Sequence, residues 1–148
     1  IEVRTRAVEL LATRAEPEAQ AAVIDALGDP EESVQRAALS AVGRIQHAPT
    51  IAAIADVVRK SSNWALRVRA AQALGRLGTG KEAPSETIIE ALSYAAKNDA
   101  FALVREACAR ALAPIAPAAA APLLKELSEK DSEPRVRETA AELLKNKP

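Results

Sequence analysis

The sequence has no methionine, one histidine, one cysteine and three aromatic residues in 148 positions. A single cysteine excludes an internal disulfide and any multi-cysteine metal site. A single histidine, His47, excludes a two-histidine ligand set within the chain. No run approaches the roughly 20 apolar residues that a membrane span needs. No basic stretch followed by an apolar one marks a signal peptide at the start. These absences favour a soluble, cytoplasmic chain with no metal and no cofactor. Excess charge of one sign is also missing: 20 basic residues face 20 acidic ones. That balance removes the global electrostatic case for nucleic acid or an anionic membrane as partner. Trp64, Tyr94 and Phe101 are too few to form a series of base-stacking platforms.

Alanine is abundant instead, at 35 residues. It is the best helix former, and its small side chain lets helices approach closely. The alanines sit inside a repeat. Five segments align, beginning at Val3, Val34, Leu66, Val104 and Val136. Each reads apolar, usually Arg, two variable residues, small, two variable residues, then two apolar residues. The spacings are 31, 32, 38 and 32 residues, a steady period with one insertion. Such periodicity marks a stacked array of supersecondary units. Within a unit the apolar steps of four, three and one make a helical stripe, as in Val34, Ala38, Ala41, Val42 and Ile45.

A second helix set lies between these, over 17–27, 49–59, 84–96 and 117–127. In each a proline stands at or beside the start, where the missing N–H would have no helical partner. Pro122 falls one turn inside the last and predicts a later start or a bend. Asp29, Asp99 and Asp131 each lie five positions before a motif start, with Ser61 in the same place before Leu66. Side chains of this kind cap helix N-termini. The count is nine helices: one alone, then four pairs.

The pattern Val-Arg-x-x-Ala-x-x-Ala-Leu-Gly-x-Ile with an Asp in the preceding turn, best seen at 34–45, 66–77 and 104–115, resembles HEAT repeats. The likeness is closest to the short bacterial type also found in phycobilisome-lyase-like proteins. The resemblance implies an all-α, right-handed α-solenoid of stacked helix pairs, with the second helix of each pair lining a concave face. It also implies a scaffold for protein partners; a minority of the family are enzymes or bind nucleic acid or pigment. The recurring Arg4, Arg67, Arg105 and Arg137, with Gln35 as the departure, suggest an Asp–Arg ladder between repeats, because an Arg fork can bridge two neighbours.

Motifs for chemistry are sparse. Gly75 to Glu82 matches a phosphate-binding loop up to its last position, where Glu82 replaces the Ser or Thr that reaches Mg²⁺. The stretch follows a helix rather than a strand, so its glycines read as repeat and helix-stop residues. The His-Glu pairs of iron-binding relatives are absent, and His47 reads as a solvated connection residue. Cys108 aligns with Ala38 and Ala70 and reads as a buried thiol, not a nucleophile. No enzymatic activity and no small-molecule ligand are expected.

The variable steps two, three, six and ten after each motif start should face outward. They give Thr5, Arg6, Glu9 and Thr13; Arg36, Ala37, Ser40 and Arg44; Val68, Arg69, Gln72 and Arg76; Glu106, Ala107, Arg110 and Pro114; Glu138, Thr139, Glu142 and Asn146. The middle is basic and the end acidic, a split that a neutral total conceals. Arg36, Arg44, Arg69, Arg76 and Arg110 are the candidates for an acidic segment of a partner protein, since Arg forks match carboxylates. The plainer reading is a solvated face with weak local ion pairs. Trp64 is a candidate anchor or a cover for the seam between repeats. The insertion is expected at 79–85 and around 97–102, with Lys81 and Glu82 as secondary candidates.

The expected function is a non-catalytic protein-interaction scaffold. The alternative is an accessory domain that positions a catalytic domain or its substrate in a larger enzyme. With no methionine and a lone first helix whose Val3, Ala7, Leu10 and Leu11 lack a covering partner, residues 1–148 are expected to form one solenoid from the C-terminal part of a longer chain.

Overall fold

The computed structural model describes residues 1–43, 47–80 and 85–146. Among these, nine α-helices and no strand occur: α1 (Glu2–Leu11), α2 (Pro17–Asp25), α3 (Glu32–Val42), α4 (Ala48–Lys60), α5 (Trp64–Gly78), α6 (Glu86–Asn98), α7 (Ala102–Ile115), α8 (Pro117–Lys130) and α9 (Pro134–Lys145). A 3-10 turn, Ala26–Gly28, extends α2. Helices pair as α2 with α3, α4 with α5, α6 with α7, and α8 with α9, and α1 stands alone in front. Odd-numbered helices stack on one another in one layer, and α4, α6 and α8 form the other. This is an α-solenoid.

The core is the aligned motif stripe. Val34, Leu66, Val104 and Val136 are all buried, as are Ala38, Ala70, Cys108 and Ala140 one turn later. The core contains no aromatic side chain and is filled by Ala, Val, Leu and Ile, with Cys108 among them. On α1 the equivalent residues are uncovered: Val3 is 81% exposed, Ala7 and Leu10 are exposed, and Leu11 is half-buried.

Two glycines show why small residues matter here. A Cβ on Gly75 would lie 3.0 Å from the Ala111 Cβ and 3.3 Å from its Cα. A Cβ on Gly78 would lie 2.6 Å from Ile115 Cδ1. Both residues are inside α5, so the phosphate-loop pattern has no loop around these glycines; they let α5 press against α7.

The connections differ systematically. Every step from an even helix to the next odd one takes three residues: 29–31, 61–63, 99–101 and 131–133. Steps from odd to even helices take five, five, seven and one. Relative to the preceding unit, the insertion is shared between α5, at 15 residues against 11 for α3, and the connection 79–85. The expected extra residues around 97–102 are not there, because Asp99-Ala100-Phe101 is the same three-residue turn as its counterparts. Pro122 neither delays nor ends α8, which starts at Pro117 and continues through it.

The turn aspartates act differently from helix caps. Asp29, Asp99 and Asp131 each accept a 2.9 Å bond from the backbone N–H two residues on. Those residues, Glu31, Phe101 and Glu133, are themselves the N-cap positions. The aspartates thus fold the turn that leads into the helix. True side-chain caps are Asn63, which accepts from Ala65 and Leu66, and Ser85, which accepts from Ile88.

Candidate functional site

One edge of the solenoid is tied by an Asp–Arg ladder. Arg67 binds Asp99 through two bonds of 2.8 and 3.0 Å, and donates to the Ser61 carbonyl at 2.8 Å. Arg105 binds Asp131 through two bonds of 2.9 Å and donates to the Asp99 carbonyl at 2.9 Å. Arg137 closes the series on the Asp131 carbonyl at 2.6 Å. Each Arg therefore holds its own turn by a carbonyl, and Arg67 and Arg105 also hold the next turn by a carboxylate. The exposed Arg4 makes the same carboxylate contact to Asp29 at 3.1 Å. Burial pushes the Asp131 carboxyl up, but the Arg105 bonds and the Glu133 N–H outweigh it and hold the group below its usual range. These arginines are structural.

The outer face of the odd-helix layer carries the other arginines. Arg36, Arg69 and Arg76 are exposed on α3 and α5, as the motif phase predicts. Among the described residues no ion pair or hydrogen bond holds any of their guanidinium groups. The Arg76 group reaches back toward α3, with Nη2 3.5 Å from where a Gly43 Cβ would stand. Arg44, Lys81 and Glu82 lie outside the described residues.

Arg110 is placed differently. Its guanidinium donates to Glu106 at 3.2 Å and to Thr139 at 3.4 Å. Glu106 and Thr139 were expected to face solvent, and both are buried. They meet across the α7–α9 seam, where the Thr139 hydroxyl donates to Glu106 at 3.0 Å and Arg135 pairs with the other carboxylate oxygen. Burial pushes the Glu106 carboxyl up; its bonds from Arg135, Thr139 and Arg110 more than offset that and leave it below its ordinary value. Glu138 and Glu142 remain exposed on α9, so the face runs from exposed arginines on α3 and α5 to exposed carboxylates on α9.

Trp64 opens α5 and stacks on Phe101, the N-cap of α7, with centroids 6.2 Å apart and planes 14° from parallel. The Arg67 guanidinium lies 5.4 Å from the Phe101 ring centre. Trp64 covers the seam between repeats and still leaves 40% of its surface exposed.

Other chemistry finds little material. His47 is the exposed residue preceding α4. Cys108 is fully buried, and burial pushes its thiol up to about 12, far from a nucleophile's range. Among the described residues no three metal-ligating side chains converge. Among the described residues no helix is long and apolar enough to cross a membrane.

The sequence pattern of HEAT repeats matches residues 1–75 and 51–145. The chain belongs to the HEAT repeat family. No curated protein matches it. Among solved structures it is similar to the crystal structure of an engineered protein, at 21% identity and a TM-score of 0.62, covering 96% of this chain and 70% of that one. That likeness concerns the fold. This HEAT chain is thus a helical-repeat scaffold, with its ladder on one edge and a graded charge on its odd-helix face.

Proposed function

We propose that this HEAT solenoid is a non-catalytic scaffold that takes an acidic segment of a partner protein on the outer face of its odd-helix layer. The observation that carries this is the division of labour among arginines. Arg67 and Arg105 are buried in the ladder, whereas Arg36, Arg69 and Arg76 are exposed and hold no acid among the described residues. Arg forks are well matched to carboxylates, and unpaired ones retain all their donors for a ligand. Arg110 contributes less, because Glu106 already occupies it. Trp64 lies at the ladder edge as an accessible aromatic surface.

The test uses a synthetic Glu-rich peptide, its Gln analogue and a DNA duplex, titrated at low and physiological salt. The acidic peptide should bind at least tenfold more tightly than the Gln analogue. Replacing Arg36, Arg69 and Arg76 with Glu should abolish that preference while helical content is retained. Equal binding of both peptides overturns the reading. Tighter binding of DNA, with a steep loss in salt, replaces it with nucleic-acid recognition.

A further inference from the structure

The ladder has one missing rung, and both of its partners are missing together. Position 35, which should carry the Arg, is Gln35; position 61, which should carry the Asp, is Ser61. The Gln35 side chain makes no hydrogen bond among the described residues, and Ser61 Oγ turns to its own turn, accepting from Asn63 N–H at 3.3 Å. The vacant rung would have joined α3 to the turn before α5.

The same seam opens at that end. A cavity of about 400 Å³ lies between α2, α3, α4 and the start of α5, lined by Leu27, Gln35, Leu39, Val57, Ser61 and Leu66 among others. At the opposite end α3 and α5 do meet: a Cβ on Gly43 would stand 3.4 Å from the Ala73 Cβ. The next seam is fastened at both ends. There Arg67 holds Asp99 at one end, and Gly75 and Gly78 admit Ala111 and Ile115 at the other. Among the described residues the α5–α7 seam thus has a fastening at each end, where the α3–α5 seam has one at the Gly43 end alone.

We propose that the solenoid bends at the α3–α5 seam, pivoting about the Gly43–Ala73 contact and opening or closing at Gln35 and Ser61. Two apposed elements held at one end rotate about that end, whereas a second fastening removes the freedom. Sub-globular motion concentrates where buried contacts are few. The bend moves α1–α3 as one block against α4–α9. It changes the separation of Arg36 on α3 from Arg69 on α5, whatever that face binds.

The experiment places spin labels in the full chain, in a Cys108→Ala background. Pro30, Ser62, Ala100 and Ser132 are exposed and occupy the same middle position of successive three-residue turns. Labels at Pro30→Cys and Ala100→Cys span the missing rung and one intact rung. Labels at Ser62→Cys and Ser132→Cys span two intact rungs. The first pair should give a distance distribution at least twice as wide as the second. Adding Gln35→Arg together with Ser61→Asp should narrow the first to the width of the second; either change alone should leave it wide. Equal widths in the original chain overturn the proposal. So does a width that the restored rung leaves unchanged.

Discussion

Arg105 grips Asp131 through two parallel bonds of 2.9 Å while its remaining nitrogen holds the Asp99 carbonyl at 2.9 Å. One side chain thereby fastens two turns that are 32 residues apart in sequence. Both members of the pair are nearly sealed from water, at 9% and 5% side-chain exposure. The Arg4–Asp29 pair repeats the contact in the open, with Arg4 half exposed.

These two rungs should respond differently to removal. Arg105→Ala leaves the Asp131 carboxylate buried without its partner and should destabilise the chain by about 3 kcal/mol. Arg4→Ala should cost under about 1 kcal/mol, because solvent screens that pair. Urea unfolding followed by circular dichroism reads both; similar losses would mean that burial does not set the strength of a rung.

The ladder and the Glu106 cluster together fix the sign of the acid response. Asp131 and Glu106 are held below their ordinary values of 3.8 and 4.5, so each adds stability that is present above those values. That stability is lost as pH falls through the lower folded values. Unfolding free energy should therefore decline below about pH 4.5 and keep declining into stronger acid. An Asp131→Asn variant should be less stable at pH 7 and should decline less steeply.

Glycine substitutions should separate close packing from helix propensity. Gly75→Ala forces a methyl against the Ala111 backbone and should cost about 1–3 kcal/mol. A Gly28 Cβ would meet nothing within 4 Å, and no described glycine has a positive φ. Gly28→Ala should be neutral or stabilise by up to about 1 kcal/mol. Thermal melts of the two variants should move in opposite directions or leave Gly28→Ala unmoved.

The Cys108 thiol should be silent toward a thiol reagent such as DTNB at pH 8 in the folded chain. It should react within minutes once urea unfolds it. Fast reaction under native conditions would show that α7 does not stay packed on its neighbours.

Much of this was readable from the residues. The nine helices, the lone α1, the buried stripe and the ladder all follow from one motif and its period, because each unit repeats the same burial problem. The motif phase does not predict the burial of Glu106 and Thr139. Phase within one helix tells which side faces away from its own partner, but not how closely the next odd helix approaches. Val68 carried the signal: an apolar residue at the same step as Glu106 shows that the step borders a seam. No extra residue falls around 97–102, and Asp99 carries the signal for that: its unchanged distance to Val104 fixes an ordinary turn there. That Arg110 is engaged while, among the described residues, Arg36, Arg69 and Arg76 are not depends on where carboxylates from other helices arrive, and the motif does not encode that.

The uneven connections have a consequence for how such a chain can be altered. Along the ladder edge every turn must deliver an Asp or Ser and a helix start at a fixed spacing, so one added residue would push a carboxylate out of reach of its guanidinium. Along the other edge the spans already range from one to seven residues, with the stack intact. New loops, tags or recognition segments belong on that second margin. Growth there changes what the molecule displays without changing how its helices stack.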